Sequence, residues 1–247
     1  MTTASSARAP LARVSGAPRA RGTPRPPPLV SEGWQVVATY RTRPPAAGDR
    51  NGDISWVRFD AAEDRSTTDL GAAVDACTGR LRAVFACIGA PSAKKTVTET
   101  GISEFESVHH ANVLSFVRTW HAVVQRARHD GASVLAVGSD AGLAARPGNG
   151  PYTAAKAALA SLVITLAKEE QRHGVRVNLL APSLIDSPLA RHVMTLKGVT
   201  DPDTHYKQLP WGRPLALDEV AAACIDLATA PHWSYVTGQI YPLGAAV

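Results

Sequence analysis

Ser139, Tyr152 and Lys156 supply a hydroxyl, a phenol and an amine within the stretch SDAGLAARPGNGPYTAAK, residues 139–156. The Gly/Pro-rich run between Ser139 and Tyr152 reads as a loop. The segment after it, TAAKAALASLVITLAKEE, is rich in strong helix formers. On such a helix Tyr152 and Lys156, four residues apart, share one face. A phenol beside an ammonium is a candidate proton donor, because the cation favours phenolate and lowers a pKa that is about 10 in the free side chain. Taken alone, the pair equally fits a surface tyrosine and lysine on an ordinary helix, since Y-x-x-x-K recurs by chance.

The elements that must position these groups follow from the apolar pattern. Leu11–Val14 is a short apolar run leading into SGAPRARG at Ser15–Gly22, a turn able to set backbone N–H groups against a pyrophosphate. Pro24, Pro26, Pro27 and Pro28 stand where the following helix belongs. Interior proline costs a helix about 3 kcal/mol, so that helix is expected to be short, displaced or replaced by extended polyproline structure. Strands are expected at Trp34–Tyr40, Ile54–Phe59, Leu81–Ile88, Ser133–Gly138, Val175–Leu180 and Gln239–Leu243, and helices over 68–78, 103–129, the Tyr152 segment and Leu217–Ala228. Residues 1–10 read as a disordered tail, and 186–212 as a variable region with an amphipathic start and a polar loop. Strands alternating with helices imply an α/β fold: one Rossmann-type, doubly wound parallel sheet over 11–247, helices on both faces and ligands at the carboxyl ends of the strands.

Composition sets the outer bounds. With 45% hydrophobic and 19% charged residues, the chain has material for a core and no signature of disorder. Apolar runs such as Ala157–Ala167 are shorter than the roughly 18–20 residues of a membrane span, so a soluble protein without a membrane partner is expected. Cys77, Cys87 and Cys224 are odd in number and form no C-x-x-C, which points away from a disulfide framework or a metal site and toward a reducing, cytoplasmic setting. Neighbouring His109 and His110 point in different directions on a helix and read as structural or exposed. The net charge of +5 comes entirely from Arg8, Arg13, Arg19, Arg21 and Arg25, which precede the first acid, Glu32. No basic face interleaved with aromatics follows, so a solvated tail and an anion-binding loop fit better than nucleic-acid binding. An Arg-rich, acid-free start also resembles a transit peptide, but cleavage there would destroy the turn at Ser15.

With Asn112 lying 27 residues before Ser139, Ser139 13 before Tyr152 and Lys156 four after it, the chain resembles a short-chain dehydrogenase/reductase, most closely the ketoacyl-reductase-like branch, over residues 11–244. NLLAPSLIDSPL at Asn178–Leu189, PWGRPLALDEVA and YVTGQIYPLG at Tyr235–Gly244 extend the likeness. The resemblance implies that Tyr152 is the general acid/base, giving a proton to a carbonyl oxygen as hydride reaches its carbon. It implies that Lys156 lowers the phenol pKa and binds the nicotinamide ribose, that Ser139 holds the substrate oxygen, and that Asn112 positions a water in a relay with Lys156. Ser15, Gly16 and Gly22 would meet the pyrophosphate, Asp60 with Ala61 the adenine, Gly89 the ribose side, and Pro182, Ile185 and Ser187 the nicotinamide.

Three departures stand at the cofactor end. Ala20 replaces a glycine of the turn, A-C-I-G at Ala86–Gly89 replaces N-N-A-G, and the closing glycine pair is reduced to Gly244 and alanines. A methyl at Ala20 crowds close backbone approach. No acid ends the second strand; Arg41 stands there, with Arg19 in the turn, and arginines suit a 2′-phosphate. NADPH is therefore expected ahead of NADH, with two solvated arginines as the other reading.

Expected function is an NADPH-dependent ketoreductase, or an alcohol dehydrogenase in reverse. The alternatives are an enzyme on this fold without net redox chemistry (dehydratase, lyase, cyclase or isomerase) and a non-catalytic binding protein. The segment after Pro182, with Leu189, His192, Met194, Leu196, Tyr206 and Trp211, fits a lid over a bulky, polyketide-like or aromatic ketone, and equally fits packing or an oligomer contact. The resemblance also implies a homo-oligomer, dimer or tetramer, built on the helices carrying Asn112 and Tyr152.

Overall fold

The computed structural model describes residues 11–15, 28–42, 44, 54–187, 190–191, 194–195, 198–199 and 201–244. The expected tail at 1–10 and most of the glycine turn, including Gly16, Arg19, Ala20 and Gly22, lie outside the described residues.

Among the described residues, seven parallel strands form one sheet in the order β3-β2-β1-β4-β5-β6-β7. They are β1 (Leu11–Ser15), β2 (Gln35–Tyr40), β3 (Ile54–Arg58), β4 (Leu81–Ala86), β5 (Ser133–Val137), β6 (Arg176–Pro182) and β7 (Ile240–Leu243). Strand order reverses direction between β1 and β4, which is where a doubly wound sheet opens a crevice at its carboxyl edge. Ser15 at the end of β1 pairs in register with Ala86 at the end of β4, so the two strand ends that flank this crevice lie side by side.

Both faces of the sheet are covered, and consecutive strand residues alternate between them. Val37, Val84, Ala86, Val134, Ala136, Val177 and Leu179 belong to one core, with Leu70, Phe116, Trp120, Leu159 and Val163 from the covering helices. Val36, Ala38, Ala83, Phe85, Leu135 and Leu180 belong to the other, with Leu29, Val30, Val220, Cys224 and Leu227. This two-sided burial explains why the strands are runs of apolar residues and not alternating ones. The first core lies under α2 (Asp64–Asp75), α4 (Ser115–Asp130) and α6 (Gly150–Glu170); the second lies under α1 (Pro28–Ser31) and a helix at Leu217–Thr229.

The doubly wound parallel sheet matches the sequence expectation, with shifts at element ends. The proline-rich segment yields, among its described residues, a four-residue helix, α1. The helix expected over 68–78 is α2, starting four residues earlier at Asp64. β6 runs on through Pro182, past the expected end at Leu180. A short helix at Pro202–Lys207 occupies the region expected to be loop, started by Asp201, whose carboxylate accepts the amides of Asp203 and Thr204. The long helix expected over 103–129 is α3 (Ile102–His109), a π-helical turn (His110–Leu114) and α4 in succession.

Candidate active site

The π turn is built by one of the candidate residues. Asn112 is 1% exposed, and its side-chain amide donates to the carbonyl of Val108, 2.8 Å, and to that of Ala90, 2.9 Å. Val108 lies four residues back, so the side chain takes an acceptor that an α-helix normally offers its own backbone. That competition widens the turn. The two bonds fix the amide, leaving Oδ1 buried without a hydrogen-bond partner among the described residues. A Cβ built on Gly89 would stand 2.7 Å from this Oδ1 and 3.3 Å from Lys156 Nζ. Gly89 is therefore a close-approach position where the end of β4 meets both polar groups.

Lys156 extends from α6 beneath the end of β5. It is 4% exposed, and Nζ donates to the Val137 carbonyl at 3.2 Å. Burial pushes its pKa down to about 8, while the Cys87 thiol pulls the other way. Nζ lies 5.6 Å from the centre of the Tyr152 ring. Pro151 opens α6 at its first turn, a position that needs no N–H. Asn149 precedes it, held by the Ser92 hydroxyl at 2.7 Å.

Tyr152 differs from the expectation for an ammonium-paired phenol. Burial raises its pKa, a hydrogen bond from Ser139 acts in the lowering direction, and the Asp140 charge raises it further. Lys156 Nζ, bonded to the Val137 carbonyl, is not among the groups that set this shift.

Ser139 follows β5 and Gly138. Its hydroxyl donates to Asp140 Oδ1 at 3.3 Å and accepts the Ala141 amide at 3.2 Å. The Asp140 amide bonds the Pro182 carbonyl at 3.1 Å, tying this loop to the end of β6. Asp140 also pairs with Arg146 at 2.9 Å. Sequence reasoning missed Asp140: nothing but its place after Ser139 marks it, and its partner lies six residues on in a loop without periodicity.

The remaining candidates fall into two places. Arg41, at the end of β2, donates to Asp60 Oδ2 at 3.2 Å, so the arginine expected at a 2′-phosphate and the acid expected at the adenine are paired with each other. The Ala62 amide and Arg41 hold the Asp60 carboxyl below its ordinary range, against the effect of burial. Ala61 packs partly buried on the first core. Beyond Pro182, Ile185 bridges to Leu215, and the Ser187 hydroxyl accepts the Ala190 amide at 3.1 Å. Asp186 pairs with Arg191 and receives the Tyr206 hydroxyl at 3.3 Å. In the expected lid, Met194 is 3% exposed and Trp211 73% exposed, so the first packs inward and the second does not. Among the described residues no group of three or more His, Cys, Asp or Glu is arranged to hold a metal, and no helix is long and apolar enough to cross a membrane.

The family model described as "Enoyl-(Acyl carrier protein) reductase" matches residues 28–243. A 3-oxoacyl-[acyl-carrier-protein] reductase of Mus musculus is 27% identical over 219 residues, 86% of each chain. An uncharacterised NAD-dependent oxidoreductase of Mycobacterium tuberculosis is 33% identical over 200 residues, 72% of each chain. Among solved structures, 3-ketoacyl-(acyl-carrier-protein) reductase from Brucella melitensis, complexed with NADH, superposes with a TM-score of 0.79 at 23% identity, covering 96% of this chain and 98% of that one. ElxO with NADP bound superposes at 0.80 with 16% identity, covering 95% and 96%. At these identities the two structures speak for the fold.

Proposed function

Because this chain belongs to the short-chain dehydrogenase/reductase family and is an oxidoreductase, we propose that it is an NADPH-dependent ketoreductase using Tyr152 as proton donor. The observation that carries the reading is the convergence of the Tyr152 phenol, the buried Lys156 amine and an orphaned amide oxygen on Asn112 near the ends of β4 and β5.

The described residues fit a nicotinamide dinucleotide on the side that they cover. Gly89 leaves open the approach to Asn112 Oδ1 and Lys156 Nζ, an acceptor and a donor suited to a water and a ribose hydroxyl. Pro182, Ile185 and Ser187 would line the nicotinamide side, and Asp60 and Ala61 the adenine side. Arg41 would turn from Asp60 to a 2′-phosphate, an exchange of one anion for another that keeps its charge neutralised. Ser15, Gly16 and Gly22 would hold the pyrophosphate, and Arg19 would join Arg41 at the 2′-phosphate. The cofactor, when bound, supplies the hydride.

The rest of the reaction is this chain's own. Tyr152 donates its phenolic proton to the substrate oxygen, and Ser139 turns its hydroxyl to the same oxygen, stabilising the charge that develops there. The proton that restores the phenol would come through Lys156 and a water positioned by Asn112 Oδ1. Burial of Asn112 and Lys156 keeps both groups out of bulk water. The substrate is a small-molecule ketone, bulky or aromatic, and the working form a homo-oligomer. Exposed Ile102 and Leu114 on the helical run that carries Asn112 support that assembly.

The test is a titration with NADPH and NADH followed by protein fluorescence and calorimetry, with candidate ketones in turnover assays. Submicromolar to micromolar binding and ketone-dependent oxidation of NADPH are expected. Absence of nicotinamide binding at millimolar concentration sinks the reading. Tyr152→Phe removes the proton and keeps the shape: kcat falls by roughly 10²–10⁴ while NADPH affinity is nearly unchanged. Full retained activity places the proton donor elsewhere.

A further inference from the structure

Residues 187–214 leave the body of the fold and return to it at one place. The Leu215 amide donates to the Leu184 carbonyl at 2.9 Å, and the Asp186 amide to the Leu215 carbonyl at 2.8 Å. At this junction the Asp186 carboxylate takes donors from both legs of the segment. Arg191, on the outgoing leg, gives Nε to Oδ1 at 3.1 Å and Nη2 to Oδ2 at 3.2 Å. Tyr206, on the returning leg, gives its hydroxyl to Oδ1 at 3.3 Å. We propose that Asp186 is a positioning residue: it clasps the Pro202–Lys207 helix to the outgoing leg and so fixes the wall against which the ketone binds. This role rests on the reductase reading of the site and goes beyond it, because it names the side chain that holds the substrate wall together.

The surroundings put the clasp beside the reacting groups. Asp186 lies between Ile185 and Ser187, the two residues expected at the nicotinamide. The Pro182 carbonyl, at the root of the outgoing leg, accepts the Asp140 amide at 3.1 Å. Asp140 opens α5 (Ala141–Ala144), the turn that follows Ser139. The outgoing leg is thereby tied to the loop that carries the Ser139 hydroxyl. Met194 packs that leg inward, and Tyr206 is half-buried where Trp211 stands out in solvent. The aromatic side chain that the segment turns toward the body of the fold is the one that Asp186 holds.

Nothing else among the described residues duplicates this link through side-chain hydrogen bonds. Ser187 accepts the Ala190 amide, and Thr195 donates to the Arg191 carbonyl, both within the outgoing leg. Asp201 accepts from Asp203 and Thr204 within its own helix. Arg213 turns away from the segment to Glu219. Three modest bonds therefore share one task. The Arg191 fork is charge-assisted, but its side chain is 66% exposed and that of Asp186 38%, so solvent screens the pair. The Tyr206 bond is less exposed and is long for a hydroxyl donor. Together they suit a segment that must hold its place and still let a ketone in and an alcohol out.

Two measurements on the full chain test the clasp: amide hydrogen exchange over the Pro202–Lys207 helix without ligands, and steady-state kinetics with a ketone at saturating NADPH. Asp186→Ala should speed exchange there about three- to tenfold, and Tyr206→Phe about two- to fivefold, the worth of weak, partly solvated bonds. The double variant should exchange no faster than Asp186→Ala alone, because the second change removes a bond that the first has already broken. The ketone KM should rise by similar factors, with kcat and NADPH affinity altered less than about twofold, since Tyr152, Ser139 and Lys156 keep their places. Tyr206→Phe removes a single oxygen, so the prediction stands whatever Asp186→Ala does to folding. A merely local role for Asp186 would leave the two changes additive and would not single out KM. Additive exchange, or a ketone KM within twofold of the parent's in Tyr206→Phe and Asp186→Ala alike, overturns the proposal. Non-additive exchange in a protein that turns over no ketone upholds the clasp and counts against the reductase reading, since exchange does not depend on turnover.

Discussion

Replacing Lys156 by methionine separates what the site does from what it costs the fold. The side chain is 4% exposed and makes one hydrogen bond that the structure records, to Val137 at 3.2 Å. Burial lowers its pKa from 10.5 to about 8, which corresponds to a penalty of about 3 kcal/mol on the charged form in the native state. The sign follows from proton counting: between about pH 8 and 10.5 the unfolded chain holds a proton that the native protein has shed. The penalty is therefore complete below about pH 8 and fades as pH rises toward 10.5. Methionine keeps the approximate length, removes the charge and leaves the Val137 carbonyl without this donor, a loss of about 1 kcal/mol. The net expectation is a gain of about 2 kcal/mol at pH 7, or roughly 4–8 °C in Tm for a chain of this size, together with loss of turnover. Urea unfolding of both proteins at several pH values between 7 and 10.5 measures it, and the difference should close as pH rises. A variant less stable than the parent at pH 7, or a stability difference that ignores pH, refutes the reasoning that Lys156 is held at a cost.

Two further substitutions probe the cofactor side. Arg41→Glu removes the proposed partner of a 2′-phosphate and sets a second acid beside Asp60. NADPH affinity should fall roughly tenfold or more, the worth of a charge-assisted bond, with NADH much less affected; equal losses by calorimetry would refute the phosphate assignment. Gly89→Ala places a methyl 2.7 Å from Asn112 Oδ1, so about 1–3 kcal/mol of overpacking is expected. Steady-state kinetics should show a kcat loss larger than that destabilisation alone explains, and an unchanged kcat would show that Gly89 does not border the reacting groups.

Much of this was legible in the sequence because the signals were of two robust kinds. Strands buried on both faces read as continuous apolar runs, and QVVATY at Gln35–Tyr40 could hardly be anything else. Asn112, Ser139, Tyr152 and Lys156 were marked by intervals, and intervals persist when the residues between them change. The boundaries were less legible because they depend on competing hydrogen bonds: α2 begins at Asp64 without a side-chain cap, so no capping residue announced it. The break at His110–Leu114 was invisible for a similar reason, since Asn112 reads as an ordinary helical residue until its amide is seen to take the Val108 carbonyl. Asp140 escaped because its partners, Ser139, Arg146 and Pro182, meet only when the β5 loop closes on β6.

The direction of the Tyr152 shift could not be read from spacing at all. Four-residue spacing puts phenol and ammonium on one face but leaves open where the ammonium points. Here it points to Val137, and burial then acts on both groups in opposite senses, raising the phenol and lowering the ammonium to about 8. In free side chains the phenol is the slightly stronger acid; in this site the ammonium is. That inversion matters for the proposed reaction. Once Tyr152 has given up its proton, the nearest buried acid is weaker as a proton holder than the phenolate it faces, so return of a proton from Lys156 toward Tyr152 runs downhill. In the proposed reaction, the desolvation that makes Lys156 a burden on the fold is then the same property that would let it recharge the donor.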